Sequence, residues 1–262
     1  MPEFPLGPVG LSDSTRVLIE FPDGQNMLYD AGKLGSPTGA ARPISAVLWS
    51  RGITRIDALM ISHADSDHFN AIPELLQKYT VSKIFVSPFM LEELDQPAVK
   101  VLKTAIDKWD VKVDTLSASD KLHVGDVSME ILHPPPLGVI GSDNANSLVL
   151  LIEYQGRKVL LPGDLESPGL EDVLAELPID TDLLMAPHHG STRSNPRGFG
   201  NWCRPEHVVL SGSHDVEEIP AIDSVKQAYG QIGSQVYHTA ETGCIRFNIT
   251  AAGVKVETFR QP

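Results

Sequence analysis

Four candidate metal ligands crowd into one hexapeptide, His63-Ala64-Asp65-Ser66-Asp67-His68, directly after the apolar run Ile56 to Ser62. Carboxylates and imidazoles packed this closely around Asp67 repel one another unless they share a cation, and a divalent ion turns that repulsion into coordination. A solvated acidic turn with Asp67 as a helix N-cap explains any one of the four, but not the set. Two further clusters end apolar runs in the same way: Gly163-Asp164 after RKVLLP, and His188-His189-Gly190-Ser191 after TDLLMAP. A lone Gly-Asp carries no signal and a His-His pair little; their order along the chain is the specific feature.

These groups need rigid elements that end beside one another. Short β-rich apolar runs alternate with helical stretches, the pattern of an α/β protein. Thr15 to Phe21 and Asn26 to Tyr29 predict a hairpin around Asp23-Gly24. After Asp30-Ala31-Gly32 a polar loop runs to about Pro43, followed by a helix to Arg51 with Gly52 in the capping role. Helices are predicted at Ala71 to Tyr79 and Ala98 to Trp109, with strands at Ile56 to Ser62, Lys83 to Ser87 and Asp126 to His133, the last closing the first half. The second half repeats the scheme. Ser147 to Tyr154 and Arg157 to Leu161 form a hairpin around Gln155-Gly156, again ending at an aspartate. A helix at Gly169 to Leu177, strands at Thr181 to Ala186, His207 to Ser211 and Gln235 to His238, and a helix from about Ile222 to Ile232 follow. A terminal hairpin joins Cys244 to Ile249 with Val254 to Phe259. Two such halves imply two sheets packed face to face with helices outside, a single domain over 1–262 in which 1–14 is irregular.

Composition sets the outer limits. The 262 residues carry 21 basic and 34 acidic side chains, a formal charge of −13, so passive attraction to nucleic acid is excluded as a mode of binding. At 42% hydrophobic and 21% charged the chain is neither disordered nor fibrous. No apolar run approaches the ~20 residues of a membrane-spanning helix, and MPEFPLGPVG lacks the basic start and apolar core of a secretory signal. Cys203 and Cys244 are too few and too far apart for a thiolate zinc cage, and are expected to be buried free thiols.

Asp30, the 63–68 loop, Asp164 and the His188/His189 pair follow the order of the metallo-β-lactamase superfamily, whose pattern is an early Asp, His-x-His-x-Asp-His, a later His, a bridging Asp and a final His. Two departures stand out: Asp65 replaces the second His of the loop, and Asp143-Asn144-Ala145-Asn146-Ser147 lies where the middle His belongs. With the wording SHADSDH, NANSLVL, LLPGD and APHHGS, these make the chain resemble the soluble domain of the ComEC family of DNA-uptake proteins over about residues 15 to 250. That family opens with Asp-Val-Gly-x-Gly, where this chain has Gly7-Pro8-Val9-Gly10-Leu11-Ser12.

The resemblance implies a four-layer αββα sandwich of two pseudo-repeated halves holding two divalent metal ions. His63, Asp65 and the amide of Asn144 or Asn146 would serve one metal, Asp67, His68 and a histidine of the pair the other, with Asp164 as bridge. His188 is preferred as the ligand, with His189 near the leaving group, so that Asp67 and His189 are the candidate catalytic residues. Asp30 would hold an imidazole tautomer. Ser191, Arg193 and Ser194 are candidates for phosphate contact. Oxygen-rich ligation favours manganese, with zinc or magnesium as alternatives. The implied function is a two-metal phosphodiesterase or nuclease acting on DNA during competence-related uptake, using an activated water. The alternatives are a hydrolase of a small ester, lactone or phosphodiester, and an inert binding module. Such a chain is cytoplasmic if free-standing, and otherwise a soluble domain of a membrane-attached uptake protein.

Overall fold

The computed structural model describes residues 4–8, 16–94, 96–97, 99–212 and 219–259, with the backbone alone at 4–8 and 219–220. The molecule is built on two mixed sheets. From edge to edge the first is Gly253–Phe259, Cys244–Thr250, Phe4–Pro8, Val17–Glu20, Asn26–Tyr29, Ala58–Met60, Lys83–Val86 and Lys112–Thr115. The second is Gln235–His238, His207–Leu210, Leu183–Met185, Arg157–Leu161, Val149–Tyr154, Val127–His133 and Lys121–Val124. In each, antiparallel hairpins give way to parallel strands joined through helices, the connection parallel pairing requires.

The strands are apolar on both faces, and their two-residue period sorts the side chains. Met27 and Tyr29 point into the core between the sheets with Val17, Ile19, Met60, Phe85, Leu150, Ile152, Val159, Leu161 and Phe247. Leu28, Leu59, Ile61, Ile84 and Val86 face the other way, onto Ile44, Leu48, Leu75 and Leu102 of the helices Ala41–Ser50, Ile72–Lys78 and Lys100–Trp109. Across the molecule, Leu160, Leu184, Val208 and Leu210 meet Val173, Phe199 and Trp202 of the outer helices. Three cores separate four layers, the αββα sandwich expected. Local signals act as anticipated: Gly52 (φ +70°) ends its helix with Gly52 N–H and Ile53 N–H closing on Trp49 and Leu48 carbonyls. Gln155 and Gly156 both take positive φ in a two-residue hairpin turn.

Non-local pairing departs from the expected halves. The opening residues, expected to be irregular, supply the strand Phe4–Pro8, which pairs with both Val17–Glu20 and Cys244–Thr250. The terminal hairpin therefore joins the first sheet. Conversely Val127–His133, expected to close the first half, pairs with Val149–Tyr154 in the second. Val9 to Ser12, Thr15 and Ala98 lie outside the described residues. Cys203 is a buried free thiol, its proton held on by burial, which pushes its pKa up to about 12; Cys244 is only half-buried. No helix among the described residues is long and apolar enough to cross a membrane.

The sheets are stitched together at the end where the chemistry-bearing loops emerge. The Leu148 N–H donates to the Ser62 carbonyl at 2.8 Å, and the Tyr29 hydroxyl donates to the Leu148 carbonyl at 2.6 Å, with the Leu161 carbonyl at 3.1 Å. Burial, then the charges of Asp30 and Asp164, raise the Tyr29 phenol well above its ordinary value, so it remains a donor. Tyr29→Phe should destabilise the protein by about 1–3 kcal/mol, because the buried Leu148 carbonyl loses its donor. Urea unfolding with an unchanged m-value checks this, and a wild-type midpoint would contradict it.

Candidate metal centre

Most of the ligand-type side chains sit at the carboxyl ends of strands, where α/β sheets present their binding groups, and Asp67 and His68 lie in the short helix Ser66–Phe69. Asp30 follows Asn26–Tyr29, Ser62 and His63 follow Ala58–Met60, Asp164 follows Arg157–Leu161, and the histidine pair follows Leu183–Met185. Asp30 is fully buried and left-handed (φ +57°), a conformation Asp tolerates. Its carboxylate accepts from the Ser62 N–H (2.7 Å), the Ser62 hydroxyl (2.8 Å) and His68 Nδ1 (2.9 Å). With Ser62's proton turned to Asp30, its oxygen accepts from His63 Nδ1 at 2.9 Å. One carboxylate thus pins both rings by Nδ1 and turns both Nε2 atoms toward the same space.

The second half closes that space. Asp164 Oδ2 lies 3.3 Å from His68 Nε2 and 3.6 Å from His189 Nε2. Asp67 Oδ2 lies 3.6 Å from His68 Nε2 and 3.4 Å from His189 Nε2. Two overlapping groups able to hold a cation result: His63, His68 and Asp164, and Asp67, His68 and His189. Asp65, half-exposed, stands 3.5 Å from His63 Nε2. The histidine preference from sequence is reversed: His189 enters the cluster, while His188 lies at the rim, 3.9 Å from Asp164 and 3.7 Å from Glu166. Backbone conformation decides this. His188, His189 and Gly190 take φ of +49°, +55° and +88° in succession, a left-handed turn that swings the second ring inward. The two histidines are strained there, and Gly190 is required, since a Cβ would approach Leu210 to 2.7 Å.

Charge explains what the cluster lacks. Burial alone would strip the proton from His68, but Asp164 and Asp30 outweigh it and hold the ring well above its ordinary value. Burial likewise opposes, and Asp164 and Asp67 more than restore, a raised value for His189. Asp164, despite burial, is drawn below the usual carboxylate range by His68 and His189. His63 Nε2, His68 Nε2 and Asp164 Oδ1 are buried without hydrogen-bond partners, and buried polar atoms of this kind are costly unless something fills their valence. The residues fit a divalent metal centre.

The remaining candidates separate. Asn146 commits its amide to its own loop, accepting from Val139 N–H (2.7 Å) and donating to the Val139 and Ser142 carbonyls (3.0 and 3.1 Å), so it is a brace rather than a ligand. Asn144 is half-buried at the start of the same turn. Ser194 is fully buried, which removes it from any phosphate; Ser191 is half-buried and Arg193 exposed. Sequence reading passed over Ser62, although it abuts His63, and Ser211, which meets His189 Nδ1 at 3.1 Å. It also passed over Glu166 and Glu93, which only tertiary proximity marks. Burial, then Asp143 and Asp65, push Glu93 up to about 7.

Comparison with known proteins places this geometry. The family model described as the metallo-beta-lactamase superfamily matches residues 9–197. ComE operon protein 3 of Bacillus subtilis (strain 168) is 30% identical over 202 residues, 76% of this chain and 25% of that protein. Competence protein ComA of Neisseria gonorrhoeae is 25% identical over 240 residues, 90% of this chain and 31% of that protein. The chain thus spans about a quarter to a third of these curated relatives. Among solved structures, CmlA, a diiron β-hydroxylase from Streptomyces venezuelae, gives a TM-score of 0.59 at 16% identity, over 95% of this chain and 54% of that one, a likeness of fold.

Two outcomes follow for the centre. Asp30→Ala should leave the protein able to bind manganese but roughly 10 to 100-fold more weakly, as when an outer partner of a ligand is lost; calorimetric titration of the folded variant with unchanged affinity would reduce Asp30 to a structural role. Because the raised His68 and His189 must release protons to coordinate, metal affinity should rise with pH from the ordinary histidine range upward. Their contribution to folding is fully present below the unfolded histidine value and is lost as pH rises through the raised folded values. Chelated protein should therefore lose Tm on that alkaline side while manganese-loaded protein does not, and parallel melting curves would contradict it.

Proposed function

The chain belongs to the metallo-β-lactamase superfamily, and from that premise we propose that it is a metal-dependent phosphodiesterase that cleaves DNA. The observation that carries this reading is the convergence of His63, His68, His189, Asp67 and Asp164 on one space, in which His63 Nε2, His68 Nε2 and Asp164 Oδ1 are buried without a hydrogen-bond partner. Bound there, divalent ions would lower the pKa of water and offset charge on phosphate oxygens. They would also supply the local positive field that a formal charge of −13 withholds.

The chain's own groups do the rest. Asp30, directly and through Ser62, fixes His68 and His63 with Nε2 inward, while Asp164 lies between the residues of the two halves. His188 stands partly exposed beside Glu166 at the rim of the cluster. Three carboxylates, Asp65, Asp67 and Asp164, accompany three imidazoles, and Asp65 standing where the family pattern has a histidine shifts the preference from zinc toward manganese. The competence protein among the relatives, and the resemblance to DNA-uptake proteins, support DNA as the substrate. The acidic surface also suits a small ester or lactone, and the same assay separates the two.

Purified protein with manganese should cleave DNA, with magnesium less effective, zinc poor and EDTA abolishing the reaction. Asp164→Ala should lower turnover by several orders of magnitude, given the several kcal/mol that such ions contribute to a transition state. Asp65→His should raise zinc affinity and reduce manganese-supported cleavage. Failure to cut DNA of any form with manganese, alongside hydrolysis of an ester or lactone dye, would replace the proposal with the small-ester reading.

A further inference from the structure

The segment between Val127–His133 and Val149–Tyr154 carries two large aliphatic side chains with no cover: Leu137 is 98% exposed and Ile140 101%. Single exposed apolar residues are ordinary on a protein surface. These two are unusual because the backbone beneath them is held at so many points. Pro134, Pro135 and Pro136 stiffen its start. The Pro134 carbonyl accepts from Ala118 N–H (2.7 Å) and the Pro135 carbonyl from Gly138 N–H (2.8 Å). Asn146 bonds across the loop to both polar atoms of the Val139 backbone and to the Ser142 carbonyl. A side chain at Gly138 would strike Asn146 Oδ1 at 2.7 Å. A loop so tied cannot fold its apolar residues inward.

The tip is also joined to the metal centre. The Ser142 hydroxyl donates to Glu166 Oε1 at 2.6 Å, the other oxygen of Glu166 is 3.7 Å from His188 Nδ1, and Glu166 lies two residues beyond Asp164. A substrate whose phosphodiester sits at the His/Asp cluster would extend past His188 and Glu166 onto this loop. In nucleic acid the groups flanking a phosphodiester are sugar and base. In a duplex the base faces are stacked away and the surface is dense phosphate, which a chain of formal charge −13 repels. A single strand carries half that charge density, and its bare base faces gain by leaving water against apolar side chains.

From this we infer that Leu137 and Ile140 form an apolar platform for unstacked bases, so that the protein takes single-stranded in preference to double-stranded nucleic acid. The inference rests on the phosphodiesterase reading and names its substrate form. Binding is read by fluorescence anisotropy of a labelled oligothymidylate and of a duplex of equal length, both with phosphorothioate links that resist cleavage, with manganese present. Turnover is read separately on a small phosphodiester dye. The single strand should bind roughly tenfold or more tightly than the duplex, and a Leu137→Ser/Ile140→Ser variant should lose roughly tenfold of that affinity with dye turnover unchanged. Leu177→Ser, at a residue 84% exposed beyond the helix Gly169–Ala175, should change neither. Equal binding of duplex and single strand, or an unaltered double variant, would overturn the inference. So would binding of anionic lipid vesicles that the double variant abolishes, which would make the tip a membrane contact. Absence of dye hydrolysis would remove the phosphodiesterase reading, leaving the oligothymidylate comparison to decide the platform on binding alone.

Discussion

A carboxylate sealed from solvent, that of Asp30, is the constraint around which the rest is arranged. A buried charge is tolerated only where donors surround it, and here they are the amide and hydroxyl of Ser62 and the Nδ1 of His68. Satisfying Asp30 decides which nitrogen of each ring carries a proton, so the same bonds that make burial tolerable prepare two imidazoles as ligands. The arrangement also forces close approach of the two halves. Gly163 (φ +59°) sits where a Cβ would come within 2.7 Å of the Ser62 Cβ across the halves, and within the first half Gly32 sits where one would meet the Asp67 carbonyl at 2.2 Å. Neither position accepts a side chain while the network stands.

The sandwich makes this economical in sequence. Central strands that are apolar on both faces leave little room for polar groups along their length, so the ligand-type groups collect near the strand ends. Two sheets packed face to face bring the carboxyl ends of Asn26–Tyr29 and Ala58–Met60 against those of Arg157–Leu161 and Leu183–Met185. Hydrogen bonds from Leu148 and Tyr29 lock that edge. On this base the strained His188-His189 turn is held open, its cost carried by the packing of Gly190 against Leu210 and by the bonds from Asn195 to the Pro187 and Ser191 carbonyls.

Electrostatically, the centre gathers carboxylates around imidazoles. Asp30, Asp67 and Asp164 raise the proton affinity of His68 and His189 against burial, so protons and metal compete for one space. An acidic chain that handles phosphodiesters is then no paradox, since its attraction to phosphate would be local and switched on by the ion. Away from the ion, contact must come from groups indifferent to phosphate charge, and the bare aliphatic tip at Leu137 and Ile140 is such a group.

Much of this was legible in the residues alone. The ligands lie in short clusters directly after apolar runs, so His63 to His68, Asp164 and the histidine pair could be placed at strand ends, and Asp30 beside them. Gly52 and Gln155-Gly156 marked their turns because positive φ has a local, residue-specific preference. What is non-local was not legible. Strand order follows from pairing between residues far apart in the chain, and no local signal could say that Phe4–Pro8 takes Cys244–Thr250 as its neighbour or that Val127–His133 belongs to the second sheet. His188 and His189 are chemically identical neighbours, and only the left-handed path imposed by packing at Gly190 turns the second ring inward. Asn146 reads as a ligand until its amide is found spent on Val139 and Ser142, and Ser194 as a phosphate contact until it is found buried. The chain's composition and periodicity determine which groups are available and at which strand ends they emerge. The tertiary structure alone decides which of them face each other, because that depends on backbone dihedrals and long-range packing that no short stretch of sequence contains.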